Sequence, residues 1–280
     1  MQSSSSQQNY EQKIIYNENA IAIIDISETQ IVKLSQHTIG KPDECKKNCY
    51  RLENENFYQL TSLEEHILPH AGQVQKNQQF LNFQGCYVVM EKASSDFFQF
   101  IKTSNLQLAE LKTLAKQVCL SIKSIHDKNI AHNDIKLDNF FYYEQNNSVK
   151  IGDFGYSSQS QLDNFTQIQN IFKNKNSCLL SPELKEIKES RHQLLIDQFS
   201  IDLKKSDVYN LGLLLLEMSY KISMKNLQTK RQRRYFLTNK EQKFTETEIT
   251  RFFHPIINNC LHQDPSERFN IEQVLKYFTE

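Results

Sequence analysis

The sequence lacks any long hydrophobic run and any excess of charge of one sign. A membrane-spanning helix needs about 18 or more consecutive apolar residues. The longest apolar run here, residues 211–216, is far shorter and predicts a core helix. Lysine plus arginine and aspartate plus glutamate each number 33, so no overall field attracts nucleic acid or an anionic membrane surface. We therefore expect neither nucleic acid nor membrane among the partners.

Cysteine pairs with the spacing of a metal site are absent as well. The six cysteines are scattered, and Cys45 and Cys49 have neither a Cys-x-x-Cys spacing nor metal-ligand partners. Residues 1–9 are rich in serine and glutamine and lack the apolar segment of a secretory signal. We predict a disordered tail over residues 1–9, reduced thiols and a cytoplasmic location.

Glycine is scarce near the amino terminus: of the six glycines, none precedes Gly40. This absence excludes a Gly-x-Gly-x-x-Gly phosphate loop near residues 16–19, where glycine would let backbone N–H groups approach phosphate closely. Asn17 and Asn19 tolerate a positive φ and are candidates to substitute in part. If the Glu18 carboxylate lies about 4 Å from a phosphate charge, the repulsion costs about 4 kcal/mol at an effective dielectric constant of about 20. If it points outward, it costs little, and the sequence leaves both orientations open.

What the sequence does contain, along its 280 residues, is apolar residues whose spacing changes from one typical of strands to one typical of helices. This length suits one two-lobed domain or two small domains. Strand patterns cover residues 20–26, 30–34, 80–83 and 86–90, with predicted turns at 27–29 and 84–85. Helices are predicted over residues 57–68, from Leu108 to Ile125 and over 207–220. Asn270 with Gln273 resembles a capping box, which predicts a further helix start.

Two short runs contain the residues suited to chemistry. They read His-Asn-Asp-Ile-Lys-Leu-Asp-Asn over residues 132–139 and Asp-Phe-Gly over residues 153–155. Asp134 can accept or orient a hydroxyl proton, and Lys136 points the same way in an extended chain, toward a transferring phosphoryl group. Asn139 and Asp153 supply hard oxygen ligands, which Mg²⁺ takes together with water and phosphate oxygens.

These runs closely resemble the catalytic and metal-binding loops of eukaryotic protein kinases. The resemblance implies an α+β, two-lobed fold with a small antiparallel sheet lobe that carries one main helix and a larger, mostly helical lobe. It implies a kinase domain over residues 10–280, divided into lobes at about residues 91 and 92. Lys136 matches the serine/threonine version of the loop, so we expect transfer of the γ-phosphate of Mg-ATP to a hydroxyl of a protein substrate.

The resemblance also assigns nucleotide-binding positions upstream. Lys33 matches the strand lysine on the α- and β-phosphates. Glu64 matches the helix glutamate that holds this lysine, and Glu65 is the alternative by a one-residue slip. Without the resemblance, Lys33 and Glu64 would be read as surface charges. Three further residues fall at the gatekeeper and the adenine-binding hinge: Met90, Glu91 and Ala93.

Later landmarks agree with the kinase resemblance. The Ser-Pro-Glu triplet over residues 181–183 resembles the element that closes the activation segment, and Asp207 matches the aspartate that braces the backbone of the catalytic loop. Arg268 matches the arginine that pairs with the closing glutamate, here Glu183. Removal of one partner from such a buried pair costs about 3–5 kcal/mol.

Three residues depart from the family pattern. Ile31 replaces a small alanine above the adenine ring and Phe141 replaces a leucine below it, and overfilling a packed site costs about 1–3 kcal/mol unless neighbours shift. Asn133 replaces an arginine that usually bonds a phosphorylated activation loop, and a neutral amide cannot anchor phosphate as that cation does. We therefore predict that phosphorylation within residues 153–183 is not the main on-switch.

Three functions stay open at this point. The missing glycines and the bulk of Ile31 and Phe141 favour a pseudokinase that binds a partner with little or no catalysis. The intact catalytic and metal-binding set favours an active kinase. A small-molecule phosphotransferase of related fold is disfavoured, because those enzymes usually lack the 181–183 and Arg268 elements.

Overall fold

A computed structural model describes residues 13–18, 21–36, 75–80, 83–162, 172, 180–190, 201–220 and 247–279. Contacts group the chain into two units. The first holds the described residues up to Ala93 together with Asp153–Gly155, and the second holds Ser94–Gly152 and the described residues from Tyr156 onward. An antiparallel sheet dominates the first unit and helices dominate the second, which confirms the predicted α+β class. The helix predicted over residues 57–68, with Glu64, lies outside the described residues.

The first unit contains a five-stranded sheet in which neighbouring strands are antiparallel, in the order β1-β2-β3-β5-β4. The strands are β1 (Lys13–Glu18), β2 (Ile21–Asp25), β3 (Gln30–Gln36), β4 (Gln75–Phe80) and β5 (Phe83–Glu91). The predictions of strands over residues 20–26 and 30–34 are confirmed. Ile24 and Val32 pair across β2 and β3 and are fully buried, as expected of β-branched side chains on a pleated, half-buried surface.

The second hairpin of this sheet corrects one prediction. The sequence predicts a turn at residues 84–85, but both residues lie inside β5, where Gly85 pairs with Gln36 of β3 and Gln78 of β4. The hairpin closes where Phe80 pairs with Phe83, so the predicted strand over residues 80–83 spans the junction of β4 and β5. Glycine occurs inside strands as well as in turns, and Gly85 alone therefore does not locate a turn.

The second unit is mostly helical. Its helices are α1 (Phe97–Thr103), α2 (Leu108–Asp127), α3 (Pro182–Ser190), α4 (Leu203–Tyr220), α5 (Glu248–Cys260) and α6 (Ile271–Lys276). The predicted apolar stripe of α2 is confirmed, with Leu111, Leu114, Val118, Ile122 and Ile125 all buried. The predicted capping box begins α6, where the Asn270 side chain accepts from the Gln273 N–H and the Gln273 side chain accepts from the Asn270 N–H. Among the described helices, none combines the length and apolar character that crossing a membrane requires.

Short strands in the second unit fix the ends of the 132–139 run. They are β6 (Ser95–Asp96), β7 (Ile130–Ala131), β8 (Phe140–Tyr143), β9 (Ser148–Ile151), β10 (Ser158–Gln159), β11 (Gln161–Leu162) and β12 (Ile201–Asp202). They form one sheet in the order β6-β8-β9 and two antiparallel pairs, β7 with β10 and β11 with β12. Because β7 precedes the run and β8 follows it, both ends of the run are held by backbone pairing.

Helix α4 forms the centre of the helical unit. It begins at Leu203, earlier than the predicted start at Asp207, and the Leu203 N–H donates to the Ser160 carbonyl. Its residues are buried on all sides, including Gly212. A Cβ added to Gly212 would lie 2.7 Å from Cβ of Cys260, so this glycine lets the backbone of α4 approach the end of α5 closely.

A buried ion pair joins the start of α3 to the loop before α6. The Arg268 guanidinium donates to both carboxylate oxygens of Glu183, at 2.8 Å each, as the sequence predicts. Arg268 is 1% exposed and also donates to the carbonyls of Lys205 and His262. Such a fork of donors satisfies a buried charge in the planar geometry that arginine provides.

Candidate active site

The Asp207 carboxylate binds the backbone at the start of the 132–139 run. It accepts from the backbone N–H of His132 at 2.7 Å and of Asn133 at 2.9 Å, and its Oδ2 lies 3.1 Å from Nε2 of His126. Burial alone would raise the pKa of Asp207, but the hydrogen bond and charge of His126 and the N–H of His132 reverse this and hold the pKa below its usual range. A buried, ionised carboxylate thus fixes the start of the run.

The His132 ring links this run to the residue before the Asp-Phe-Gly triplet. Nδ1 accepts from the Asp134 N–H at 3.3 Å, and Nε2 lies 3.1 Å from the Gly152 carbonyl. Since Nδ1 accepts a hydrogen bond and a carbonyl can only accept, the proton must be on Nε2. Gly152 in turn donates its N–H to the Asn139 carbonyl at 2.9 Å. These bonds hold the 132–139 run to Gly152, the residue before the triplet.

Asp134, Lys136 and Asn139 form one hydrogen-bonded cluster in the second unit. Oδ2 of Asp134 accepts from Lys136 Nζ at 2.5 Å and from Asn139 Nδ2 at 2.9 Å. In the part of the chain that the structure describes, no group donates to Oδ1 of Asp134. The carboxylate, 8% exposed, is therefore held rigidly through one oxygen and can accept a hydroxyl proton at the other.

The Asn139 side chain is oriented with its oxygen available. Nδ2 donates to the Asp134 carbonyl at 2.7 Å and to Oδ2 of Asp134 at 2.9 Å. Both partners accept only, which fixes Nδ2 on that side and Oδ1 on the other. No donor among the described residues reaches Oδ1. An amide oxygen kept from internal hydrogen bonds is a hard ligand of the kind Mg²⁺ takes, so the donor chemistry fits this ion.

Lys33 and Asp153 meet in the first unit. Lys33 lies in β3, is 7% exposed, and its Nζ donates to Oδ1 of Asp153 at 2.9 Å. Asp153 has a left-handed backbone with φ of 61°, a region that aspartate tolerates better than most residues. The structure thus brings together the predicted phosphate-binding lysine and the predicted metal-binding aspartate, which are far apart in sequence. The predicted partner Glu64 lies outside the described residues.

The three residues predicted at the adenine-binding hinge follow one another at the end of the sheet. Met90, which is buried, and Glu91 end β5, and Ala93 follows two residues later. Lys92 between them is tied to the β2–β3 hairpin: its N–H donates to the Thr29 carbonyl at 2.8 Å, and its Nζ pairs with Oδ2 of Asp25 at 2.6 Å. These contacts fix the backbone next to the predicted hinge.

The two residues that are larger than the family residues they replace lie in strands. Ile31 pairs with Asp25 and Met90 within the first unit, and Phe141 pairs with Lys150 in β8 and β9 of the second. Both side chains are half-buried.

Sequence reasoning missed two polar contacts near the site, those of His126 and Asp25. His126 is buried in the last turn of α2 and contacts Asp207. In the sequence, its place beside the apolar stripe indicates that the side chain is buried. Asp25 is buried at the end of an otherwise apolar strand, with one carboxylate oxygen that no described group bonds. A charged residue at such a position requires a partner.

Comparisons with known proteins identify the family. The model of the protein kinase domain matches residues 39–278 of the 280. Serine/threonine-protein kinase MPS1 of Encephalitozoon cuniculi is 24% identical over 196 residues, which are 68% of this chain and 30% of that protein. The calcium and calcium/calmodulin-dependent serine/threonine-protein kinase of Pisum sativum is 25% identical over 219 residues, 75% of this chain and 38% of that protein. The probable serine/threonine-protein kinase PLK of Dictyostelium discoideum is 23% identical over 219 residues, 75% of this chain and 20% of that protein.

The chain belongs to the eukaryotic protein kinase family, and the predicted kinase-like α+β fold is confirmed. The matched regions span 20% to 38% of the length of these three relatives. The family match begins at residue 39 and therefore leaves out Lys33. What supports Lys33 as a site residue is its contact with Asp153. Protein kinase domains in general use ATP and a divalent metal ion.

Proposed function

We propose that the chain is an active serine/threonine kinase that transfers the γ-phosphoryl group of Mg-ATP to a hydroxyl of a protein substrate. The observation that carries this proposal is the Asp134 carboxylate, whose Oδ2 accepts from Lys136 and Asn139 while no described group donates to Oδ1. We propose the kinase domain over residues 10–280, with a small lobe to about residue 91, a larger lobe from about 92, and a tail over 1–9. We also propose a cytoplasmic location.

Each residue has one task in the proposed reaction. Asp134 accepts the hydroxyl proton through Oδ1, and Lys136, 2.5 Å from Oδ2, offsets charge on the transferring group. Lys33 binds the α- and β-phosphates, and Asn139 and Asp153 hold the metal through oxygen atoms. When bound, Mg²⁺ supplies positive charge beside the phosphate oxygens. Met90, Glu91 and Ala93 bind adenine through backbone groups, and Glu64 orients Lys33.

A pseudokinase that binds a partner without catalysis is the second candidate. Two features favour it: no glycine precedes Gly40, and Ile31 and Phe141 are larger than the family residues they replace. Overfilling of a packed slot by such side chains weakens binding by about 1–3 kcal/mol unless neighbours shift. The two candidates differ in whether Mg-ATP binds and whether phosphate is transferred.

Binding and transfer measured together separate the candidates. A ligand at about 100 times its Kd stabilises the folded state by about 2.7 kcal/mol, so millimolar Mg-ATP raises the melting temperature of the active kinase. Radiolabel transfer to a protein substrate falls by about a hundredfold or more in Asp134→Asn and Asp153→Asn. Asp134→Asn keeps the thermal shift with Mg-ATP, because Asp134 does not hold the metal, whereas Asp153→Asn loses it.

A matched control is Asp127→Asn. The Asp127 side chain is 54% exposed and pairs with Lys123 on the surface, so the same chemical change there leaves both the shift and transfer intact. Transfer that persists in Asp134→Asn contradicts the catalytic role of this residue. Absence of a thermal shift in the wild-type protein at millimolar Mg-ATP favours the pseudokinase.

A further inference from the structure

Strand β1 (Lys13–Glu18) lies at one edge of the five-stranded sheet. Among the described strands it pairs with β2 alone, so its outer row of backbone N–H and C=O groups bonds to no described strand. An edge of this kind can pair with a further strand, and proteins commonly protect it with charged residues, a bulge or a covering segment. The side chains along β1 therefore indicate whether this edge is protected from pairing or suited to it.

The first residues of β1 expose apolar surface. Ile14 is 50% exposed and Ile15 is 55% exposed, which makes them the two most exposed large apolar side chains among the described residues. A strand that packs on a core through one face buries every second side chain, as the fully buried Ile24 and Val32 show for β2 and β3. Ile14 and Ile15 are consecutive, and neither is buried. They form an exposed apolar patch that a further strand at this edge would cover.

Opposite charges lie at the two ends of the same strand. Its six residues read Lys-Ile-Ile-Tyr-Asn-Glu. If two copies of β1 pair antiparallel over their full length, Lys13 of each copy lies opposite Glu18 of the other, and Ile15 lies opposite Tyr16. Opposite charges at directly paired positions stabilise an antiparallel pair, whereas like charges destabilise it. Parallel pairing in register would bring lysine next to lysine and glutamate next to glutamate. The charge pattern therefore favours an antiparallel pair of identical strands.

The geometry of β1 limits the size of such an assembly. The register between β1 and β2 shifts between Ile14 and Tyr16, and a bulge of this kind bends an edge strand and increases its twist. A pair of β1 strands related by a two-fold axis uses the same edge of both copies, so association through this edge closes at two. The short, bent edge thus suits a discrete dimer.

We propose that β1 is a dimerisation strand, which pairs antiparallel with β1 of a second copy of this chain about a two-fold axis between Ile15 and Tyr16. The pair joins the two five-stranded sheets into one, covers both exposed isoleucines and sets Lys13 opposite Glu18 twice. Because the paired segment is short, we expect a weak dimer with a Kd of about 10–100 µM. Pairing needs neither nucleotide nor phosphoryl transfer, so it is independent of the proposed function.

Charge variants test the register by sedimentation velocity over concentrations that span the expected Kd. Lys13→Glu and Glu18→Lys each set like charges opposite each other at both ends of the pair, and each raises the Kd by about tenfold or more. Mixed in equal amounts, the two variants place every glutamate opposite a lysine and form a heterodimer with a Kd within about threefold of wild type. The double variant Lys13→Glu/Glu18→Lys restores the homodimer for the same reason. Lys276→Glu, at an exposed position of α6, is the matched control and leaves the Kd within about twofold.

The apolar contribution is tested at Ile15. Ile15→Lys places a charge in the covered patch and raises the Kd by about tenfold or more, whereas Ile15→Val keeps a β-branched side chain and changes it by less than about threefold. Since Ile15 is exposed in the single chain, both variants keep the wild-type urea midpoint, and this measurement separates loss of pairing from loss of the fold.

Hydrogen exchange distinguishes a second copy from other occupants of the edge. In the dimer, backbone amides over residues 13–18 exchange about tenfold more slowly well above the Kd than well below it. A wild-type protein that stays monomeric well above about 100 µM overturns the proposal. Protection of residues 13–18 at every concentration then assigns the edge to a segment of the same chain. A dimer whose Kd is unchanged by Lys13→Glu and by Glu18→Lys also overturns the proposal, because such a dimer forms through another surface.

Discussion

At the scale of single residues, several described residues other than glycine adopt a left-handed backbone. Among the described residues other than glycine, those with positive φ are Asn129, Asn133, Asn147 and Asp153. All are asparagine or aspartate, the residues that tolerate this region best after glycine. Two of them belong to the runs that resemble the family's loops: Asn133 to the 132–139 run and Asp153 to the Asp-Phe-Gly triplet. At these two positions, the residues that adopt the left-handed backbone also form polar contacts through their side chains, Asn133 with the Tyr156 carbonyl and Asp153 with Lys33.

The Glu183–Arg268 pair gives a prediction on stability. Arg268 is almost fully buried and donates to both oxygens of Glu183 as well as to backbone carbonyls. We expect Arg268→Ala to lower the free energy of unfolding by about 3–5 kcal/mol, since Glu183 is left buried without its cation. Urea unfolding measures the loss. Lys276→Ala, at an exposed position of α6, is the control and changes stability by less than about 0.5 kcal/mol. Equal effects of the two variants would contradict a structural role of the pair.

The site residues that could be predicted are those with short spacing. Asp134, Lys136 and Asn139 lie within one run, and the structure keeps them together because a loop of that length leaves them little room to separate. The partners of Asp25 and His126, which are Lys92 and Asp207, could not be predicted, because each contact depends on which distant elements pack together. For Lys33, the resemblance predicts the glutamate partner Glu64, which lies outside the described residues and stays a prediction; the contact described is with Asp153.

At the scale of elements, the period of the apolar residues predicts whether a segment is a helix or a strand better than it predicts where that segment begins and ends. The stripe of α2 is confirmed because one face packs on the core and the other meets solvent. Helix α4 is buried all round, so its sequence has no polar face to mark its start, and it begins at Leu203 rather than at Asp207. The turn predicted at residues 84–85 is wrong for a related reason: a glycine inside a strand and a glycine in a turn have the same local signature.

Packing of α4 against α5 gives a prediction at this scale. An added Cβ at Gly212 would lie 2.7 Å from Cβ of Cys260 and 2.9 Å from Cδ2 of Leu261. Helix propensity alone would make Gly212→Ala more stable by about 1 kcal/mol, but overpacking costs about 1–3 kcal/mol. Cβ of Cys260 is fixed to the backbone and cannot move aside without a shift of α5. We therefore expect Gly212→Ala to lower the free energy of unfolding by up to about 2 kcal/mol, as measured by urea unfolding. A more stable variant would show that the helices separate easily.

At the scale of the whole molecule, the grouping of the described residues departs from the order of the sequence at the Asp-Phe-Gly triplet. Asp153–Gly155 belongs with the sheet unit, although the chain on both sides of it belongs to the helical unit. The proposed division at about residues 91 and 92 treats each lobe as a continuous stretch and therefore does not represent this triplet. A boundary drawn on sequence alone follows composition and period, whereas the triplet is grouped by contacts such as that between Lys33 and Asp153.

Two carboxylates, the fully buried Asp207 and the half-buried Glu183, make the stability of the molecule depend on pH. Burial would raise the pKa of Glu183 and of Asp207, but hydrogen bonds and charge from Arg268 and His126 respectively reverse this and hold both values below their usual range. The unfolded state, in which carboxyl pKa values are about 4, then binds more protons than the folded state at acidic pH. The stabilisation from both groups is full above the unfolded values and is lost as pH falls through the lowered folded values.

We therefore expect the free energy of unfolding to be nearly constant from pH 7 to about pH 5 as far as these two groups determine it, and to fall below that. Urea midpoints measured from pH 7 to pH 3 test this. Glu183→Gln removes one titrating carboxyl, so it is less stable at pH 7 but loses less on acidification than the wild-type protein does. An equal loss in both proteins would mean that Glu183 titrates alike in the folded and unfolded states, and that Arg268 gives its carboxylate no net advantage.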